Sequence, residues 1–193
     1  MYTFQTKVYF LTTNLLLFLG GATVFAQQFS EANVRPLREM GRNFGNAVAD
    51  YDLDGDLDIF IVANGSFQAD KPKTWSRLLN NRGGWFEDVT IPSGFGNQHS
   101  NANGADVKLG ASWGDYDNDG YPDLLLAHQN GTQLYRNMGD GTFTDVSIQA
   151  NIVACEACSN SSGLWWDFDN DGDLDLYLNY LNVANRLYNN QGD

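Results

Sequence analysis

The sequence predicts an all-β protein built from repeated units, each of four short antiparallel strands. Three observations carry this. First, an acidic nonapeptide is written three times. It reads Asp50-Tyr51-Asp52-Leu53-Asp54-Gly55-Asp56-Leu57-Asp58, then Asp115-Tyr116-Asp117-Asn118-Asp119-Gly120-Tyr121-Pro122-Asp123, then Asp167-Phe168-Asp169-Asn170-Asp171-Gly172-Asp173-Leu174-Asp175. Second, the same succession of short apolar runs and turns surrounds each copy. Third, helical periodicity is weak throughout.

Each unit opens with a short segment: Ala47-Val48-Ala49, Ala111-Ser112-Trp113-Gly114 or Leu164-Trp165-Trp166. The acidic loop follows, and then a strand rich in Leu, Ile and aromatics: Leu57 to Ala63, Leu124 to Ala127 and Leu174 to Leu178. Short, branched apolar runs suit strands buried between neighbouring layers. A third strand is expected at Arg77-Leu78-Leu79-Asn80-Asn81, Gln133-Leu134-Tyr135-Arg136-Asn137 and Arg186-Leu187-Tyr188-Asn189-Asn190. Tight Gly-containing turns lead from it to a fourth, at Trp85 to Thr90 and Thr142 to Ser147. The loops start at residues 50, 115 and 167, and four strands at that period are the signature of a β-propeller blade.

The repeats therefore run over residues 43–90, 108–147 and 162–193, the last stopping where its fourth strand is due. Closed rings use roughly four to eight blades, so three predict a segment of a larger propeller of about seven blades, an open stack, or an assembly with other copies. Phe29-Ser30-Glu31-Ala32-Asn33 repeats the fourth-strand pattern and could complete the last blade. Glu31 to Met40 could form a turn or two of helix, limited by Pro36. Long Gly-, Asn- and Ser-rich connections at Ile91 to Val107, Ile148 to Ser162 and Asn64 to Thr74 are either ligand-contacting loops or solvated spacers.

The N-terminus reads as a secretory signal over residues 1–26. Lys7 supplies a positive charge, Val8 to Leu19 is mostly apolar, and Val24-Phe25-Ala26 resembles a cleavage site before Gln27. No later run of about eighteen apolar residues could span a bilayer. The mature chain, residues 27–193, is expected to be secreted, periplasmic or displayed at the cell surface. The chain carries 24 acidic and 11 basic residues, a net charge of −13, and fourteen of the acids lie in the three loops. This balance argues against nucleic acid or an anionic membrane as partner. The two cysteines, Cys155 and Cys158, read as a local disulfide clip. A redox dithiol would need a βαβ context, and a zinc site would need both His99 and His128.

Four carboxylates in nine residues repel one another unless a cation sits among them. Calcium takes six to eight oxygens, and glycine at position six permits the turn that wraps the chain around the ion. Side-chain ligands are expected at positions one, three, five and nine: Asp50, Asp52, Asp54 and Asp58; Asp115, Asp117, Asp119 and Asp123; Asp167, Asp169, Asp171 and Asp175. Position seven, Asp56, Tyr121 or Asp173, offers its backbone carbonyl, which explains its free choice of side chain. About three structural Ca²⁺ sites follow. An EF-hand needs a bidentate Glu at position twelve, where this chain has Ile61, Leu126 and Leu178. The residues at position two (Tyr51, Tyr116, Phe168) and position eight (Leu57, Pro122, Leu174) are expected to pack.

The unit resembles the FG-GAP/VCBS repeat, similar to the calcium-binding blades of integrin α-chain propellers. Asn43-Phe44-Gly45-Asn46-Ala47 ahead of the first loop carries the resemblance most completely. Lys108-Leu109-Gly110-Ala111 repeats it, and Ser162-Gly163-Leu164 departs slightly. The resemblance implies a secreted or surface propeller with bound calcium, serving in adhesion or in binding a protein or glycan. The alternative is a non-catalytic propeller belonging to an extracellular enzyme such as a polysaccharide lyase or phospholipase. The chain itself is expected not to be an enzyme. Its histidines are isolated, and it has no Gly-x-Ser-x-Gly, phosphate loop or His-Glu-x-x-His. Trp75 and Trp85 could stack on sugars, while Trp113, Trp165 and Trp166 fit core positions. Asn64, Asn130 and Asn160 head glycosylation-type triplets.

Overall fold

The computed structural model describes residues 30–31, 43–63, 76–95, 108–129, 131–152 and 158–192. Residues 1–32 form one unit and residues 33–193 a second, which holds every described strand. Among the described residues, eleven strands form three antiparallel sheets. The first blade is β1 (Asn43–Ala49), β2 (Asp58–Ala63), β3 (Arg77–Asn81) and β4 (Phe86–Asp88), paired in sequence order. The second repeats that order with β5 (Lys108–Gly114), β6 (Asp123–His128), β7 (Gly131–Asn137) and β8 (Phe143–Asp145). The third contains β9 (Asn160–Trp166), β10 (Asp175–Tyr180) and β11 (Arg186–Tyr188), with β11 at an open edge. No α-helix occurs among the described residues. The first two sheets have the strand number and order of propeller blades, the third has three strands in the same order, and the described residues form no closed ring.

The acidic loops join the first strand of each blade to the second in one fixed register. Ala49 pairs with Asp58, Gly114 with Asp123, and Trp166 with Asp175. Each loop thus begins and ends at adjacent points of the sheet, which brings its first and last carboxylates together. The second strands are apolar on both faces because each is flanked by sheet neighbours and covered by blades. Phe60, Val62, Leu124, Leu125, Leu126 and Leu178 are fully buried. Burial of such side chains contributes about 1.5–3 kcal/mol each.

Two cores lie between the blades. Tyr51, Phe60, Val62 and Leu78 of the first blade meet Leu124, Leu126, Tyr135 and Phe143 of the second. Leu125 and Leu134 of the second blade meet Leu176, Leu178 and Tyr180 of the third. The position-two aromatics connect one blade to the next. Tyr51 stacks on Trp113 at 6.3 Å, and Tyr116 on Trp165 at 6.5 Å.

Several expectations need correction. Phe168 is 40% exposed because no further described blade offers it a tryptophan, and Leu57 at position eight is 60% exposed rather than packed. The connection after β4 is not merely a loop. It turns back through hydrogen bonds from Ser93 N to Val89 O (2.9 Å) and Phe95 N to Thr90 O (3.0 Å), which drive Phe95 into the first core. The corresponding turn after β8 buries Ile152 in the second core. Asn160, in the third glycosylation-type triplet, begins β9 and is wholly buried against Thr132, so it cannot accept a glycan in the folded chain. Trp166 lies at the surface, 37% exposed, with its ring edge-on to Tyr177. Trp85 is exposed. Cys158 is buried and disulfide-bonded. The signal segment 1–26, Phe29, 32–40, 64–75, His99, Asn130 and Cys155 lie outside the described residues.

Candidate metal centres

In each loop, one oxygen from positions one, three and nine lies within 4.8 Å of the other two. The three groups are Asp50, Asp52 and Asp58; Asp115, Asp117 and Asp123; and Asp167, Asp169 and Asp175. The backbone holds them there. Position one accepts the position-six amide: Gly55 N to Asp50 Oδ2, Gly120 N to Asp115 Oδ2 and Gly172 N to Asp167 Oδ2, each 3.0 Å. Those glycines have φ of 95°, 93° and 99°, open to a residue without Cβ. Position nine accepts the position-two amide on one oxygen: Tyr51 N to Asp58 (3.2 Å), Tyr116 N to Asp123 (3.1 Å) and Phe168 N to Asp175 (2.8 Å). Its other oxygen accepts from Asn81 N, Asn137 N or Asn190 N, at 2.8 Å in all three.

Position five stands apart. Asp54, Asp119 and Asp171 each accept the position-seven amide at 3.0 Å and fall outside the three-oxygen groups. Position-seven side chains face other partners. Asp56 accepts from Gly83 N (3.0 Å) and Asp173 from Asn118 Nδ2 (2.7 Å). This leaves the position-seven carbonyl, not its side chain, as the group that can address an ion.

Residues on or just after the third strands also contact the loop carboxylates, and the acidic pattern did not reveal them. Asn80 Nδ2 donates to Asp52 Oδ2 (2.6 Å) and Asn189 Nδ2 to Asp169 Oδ2 (2.6 Å). In the second blade Arg136 takes this place, with Nε 2.7 Å from Asp117 Oδ2 and Nη2 3.2 Å from Asp119 Oδ2. Arg82 lies 3.8 Å from Asp52 and 3.5 Å from Asp54. The recurring Asn at the end of the third strand was the available signal: Asn81, Asn137 and Asn190 occupy one alignment column.

The electrostatics are those of a cation site. Asp58 and Asp123 are fully buried, and burial pushes their carboxyls up to about 6 and about 7. Their backbone hydrogen bonds lower these values, and the neighbouring loop carboxylates raise them further. Asp117 is raised for the same leading reason, burial. Asp50 Oδ1, Asp52 Oδ1 and Asp117 Oδ1 are buried with no hydrogen-bond donor. An orphaned buried acceptor costs about 1–3 kcal/mol, and more when charged. Convergent, oxygen-only, under-satisfied carboxylates fit a hard divalent cation, and calcium suits that donor set.

Repeated blades that each carry an acidic loop define a β-propeller-like repeat module with metal-binding capacity. A family model described as FG-GAP-like repeat matches residues 115–178, from the second acidic loop through β10. Over that span the chain is similar to an FG-GAP-like repeat. A comparison with curated proteins finds no match.

Proposed function

We propose that this chain is a calcium-stabilised, non-catalytic binding module that works outside the cytoplasm, with a protein or glycan as its ligand. The observation that carries the calcium reading is the threefold recurrence of the same convergent triad, with orphaned oxygens in two of the three sites. In each site the positions one, three and nine carboxylates would hold the ion and the position-seven carbonyl would add to them. The ion would neutralise the loop and fasten the first two strands of its blade. Extracellular calcium modules bind at about 10⁻⁴ to 10⁻³ M, a range that keeps such sites filled outside cells.

The export reading is supported by the signal-like N-terminus and by the disulfide at Cys158, which suits an oxidising compartment. The non-catalytic reading is supported by the commitment of the loop carboxylates to backbone amides and to one another, which leaves them no free acid or base pair. Adhesion or ligand capture is the role this architecture serves best, because a rigid stack of blades presents its connecting turns as a surface. Calorimetric titration of the purified chain with Ca²⁺ tests the core of the proposal. About three equivalents should bind, and chelation should lower the melting temperature. No uptake at millimolar Ca²⁺ would remove the reading. N-terminal sequencing of exported material should begin at Gln27.

A further inference from the structure

A chain of hydrogen bonds runs from each acidic loop into the next. In the first loop the position-nine carboxylate, Asp58, accepts from Tyr51 N at 3.2 Å. The carbonyl of the same Tyr51 accepts from Asn137 Nδ2 of the second blade at 2.8 Å. Asn137 N donates in turn to Asp123, the position-nine carboxylate of the second loop, at 2.8 Å. The series then repeats. Asp123 accepts from Tyr116 N (3.1 Å), Tyr116 O accepts from Asn190 Nδ2 (2.7 Å), and Asn190 N donates to Asp175 of the third loop (2.8 Å). One asparagine at each boundary thus touches a carboxylate of its own candidate metal site. It also touches the residue whose amide holds a carboxylate of the neighbouring site.

Packed rings bridge the same boundaries. The buried Tyr51 stacks on Trp113, two residues before Asp115, and Tyr116 stacks on Trp165, two residues before Asp167. The second and third loops also touch directly, through Asn118 Nδ2 and Asp173 Oδ1 at 2.7 Å. Leu53 holds the place of Asn118 in the first loop and has no donor to offer. These links join ordering in one loop to ordering in the next. Carboxylates that repel one another hold their loop weakly when no cation lies among them. An ion that draws positions one, three and nine together fixes the position-two residue, and with it the carbonyl and ring that the next blade uses. Packed side chains and hydrogen bonds of this kind carry coupling between sites. Binding that orders a neighbour's binding groups in advance gives positive cooperativity.

We propose that the three candidate calcium sites fill cooperatively, with Asn137 and Asn190 as the positioning residues that pass the ordering of one loop to the next. This coupling rests on the calcium reading above and adds to it how the sites act on one another. The second site has a neighbour on each side, so its affinity depends most on theirs. The module gains its ions over a narrower range of Ca²⁺ than independent sites would, and its blades lock together rather than singly. Charge alone acts in the opposite direction. Divalent ions in neighbouring loops repel each other, so through-space electrostatics make successive binding weaker. The sign of the coupling therefore separates the asparagine relay from simple charge.

The test follows the amides of Gly55, Gly120 and Gly172 by two-dimensional NMR of the isotope-labelled whole chain as Ca²⁺ is added. Each donates to the position-one carboxylate of one loop at 3.0 Å, so each reports one site. In the native chain the Gly120 curve should be steeper than a one-site isotherm. Asp50→Asn, which disables the first site, should move the Gly120 midpoint to Ca²⁺ concentrations about fivefold higher or more. Charge alone predicts the reverse shift, because the first loop then loses a divalent cation together with a single carboxylate and becomes more negative. In an Asn137→Ala chain the same Asp50→Asn change should move the Gly120 midpoint by less than about twofold. Native curves that all follow independent one-site isotherms overturn the proposal, and that measurement needs no variant. A Gly120 midpoint that Asp50→Asn leaves in place or lowers overturns it as well. Failure of the calcium reading looks different: none of the three glycine amides would shift at millimolar Ca²⁺.

Discussion

At the scale of single residues, the acidic loops are defined as much by backbone as by charge. Position four adopts a left-handed conformation in every loop: Leu53 at φ 59°, Asn118 at 55° and Asn170 at 63°. Asparagine tolerates that region, whereas a leucine there costs about 1–2 kcal/mol. Leu53 is also exposed, so it gains little packing in return. Leu53→Asn should therefore raise stability by about 1 kcal/mol, read as a higher urea midpoint at unchanged m-value. The three sites should also differ in affinity. Arg136 beside Asp117 and Asp119 places a positive charge where the third site has the neutral Asn189. Arg136→Asn should strengthen calcium binding at the second site several-fold, visible as a shift in one class of sites by calorimetry.

At the scale of elements, the blades are joined by a repeated asparagine clasp. Asn137 Nδ2 donates to Tyr51 O (2.8 Å) in the preceding blade and to Pro122 O (3.1 Å) in its own loop. Asn190 Nδ2 does the same with Tyr116 O (2.7 Å) and Leu174 O (3.2 Å). Asn81 begins the series and reaches only Leu57 O (3.2 Å) among the described residues. Because Asn137 is buried, Asn137→Ala leaves two carbonyls without donors at a blade boundary, at a cost of about 1–3 kcal/mol for each group left unsatisfied. Asn81→Ala should cost under half as much, and chemical denaturation of the two variants measures the difference. Close packing makes a second demand. A Cβ on Gly163 would lie 2.0 Å from Leu125 Cδ2 across the second core, so Gly163→Ala should destabilise by about 1–3 kcal/mol through overpacking.

At the scale of the whole molecule, the proposed cation would link charge to fold. Without one, Asp58 and Asp123 have folded-state pKa values raised from 3.8 to about 6 and about 7. The folded chain then binds protons that the unfolded chain releases. The resulting stability is fully present below pH 3.8 and is lost as pH rises through 6 to 7. Calcium needs the same carboxylates deprotonated, so its stabilisation moves in the opposite direction. Melting temperatures in Ca²⁺ and in chelator should be far apart at pH 8 and converge as pH falls below 6. A gap that persists at pH 5 would contradict this linkage. At a Ca²⁺ concentration a hundredfold above Kd, each independent site of the proposed kind would add about 2.7 kcal/mol.

The sequence by itself determined the repeat, the strand order within each blade and the place of every acidic loop. These are local properties: alternation of apolar runs and turns, a glycine required at positive φ, and carboxylates too close to tolerate one another unbound. Tertiary structure decided what depends on residues far apart in the chain. The packing of Phe95 and Ile152 into the cores, the burial of Asn160, the intrusion of Arg136 and the asparagine clasps are examples. Each arises where one blade meets the next or one strand folds back on another, and no spacing along a single strand records which side chain will be waiting there.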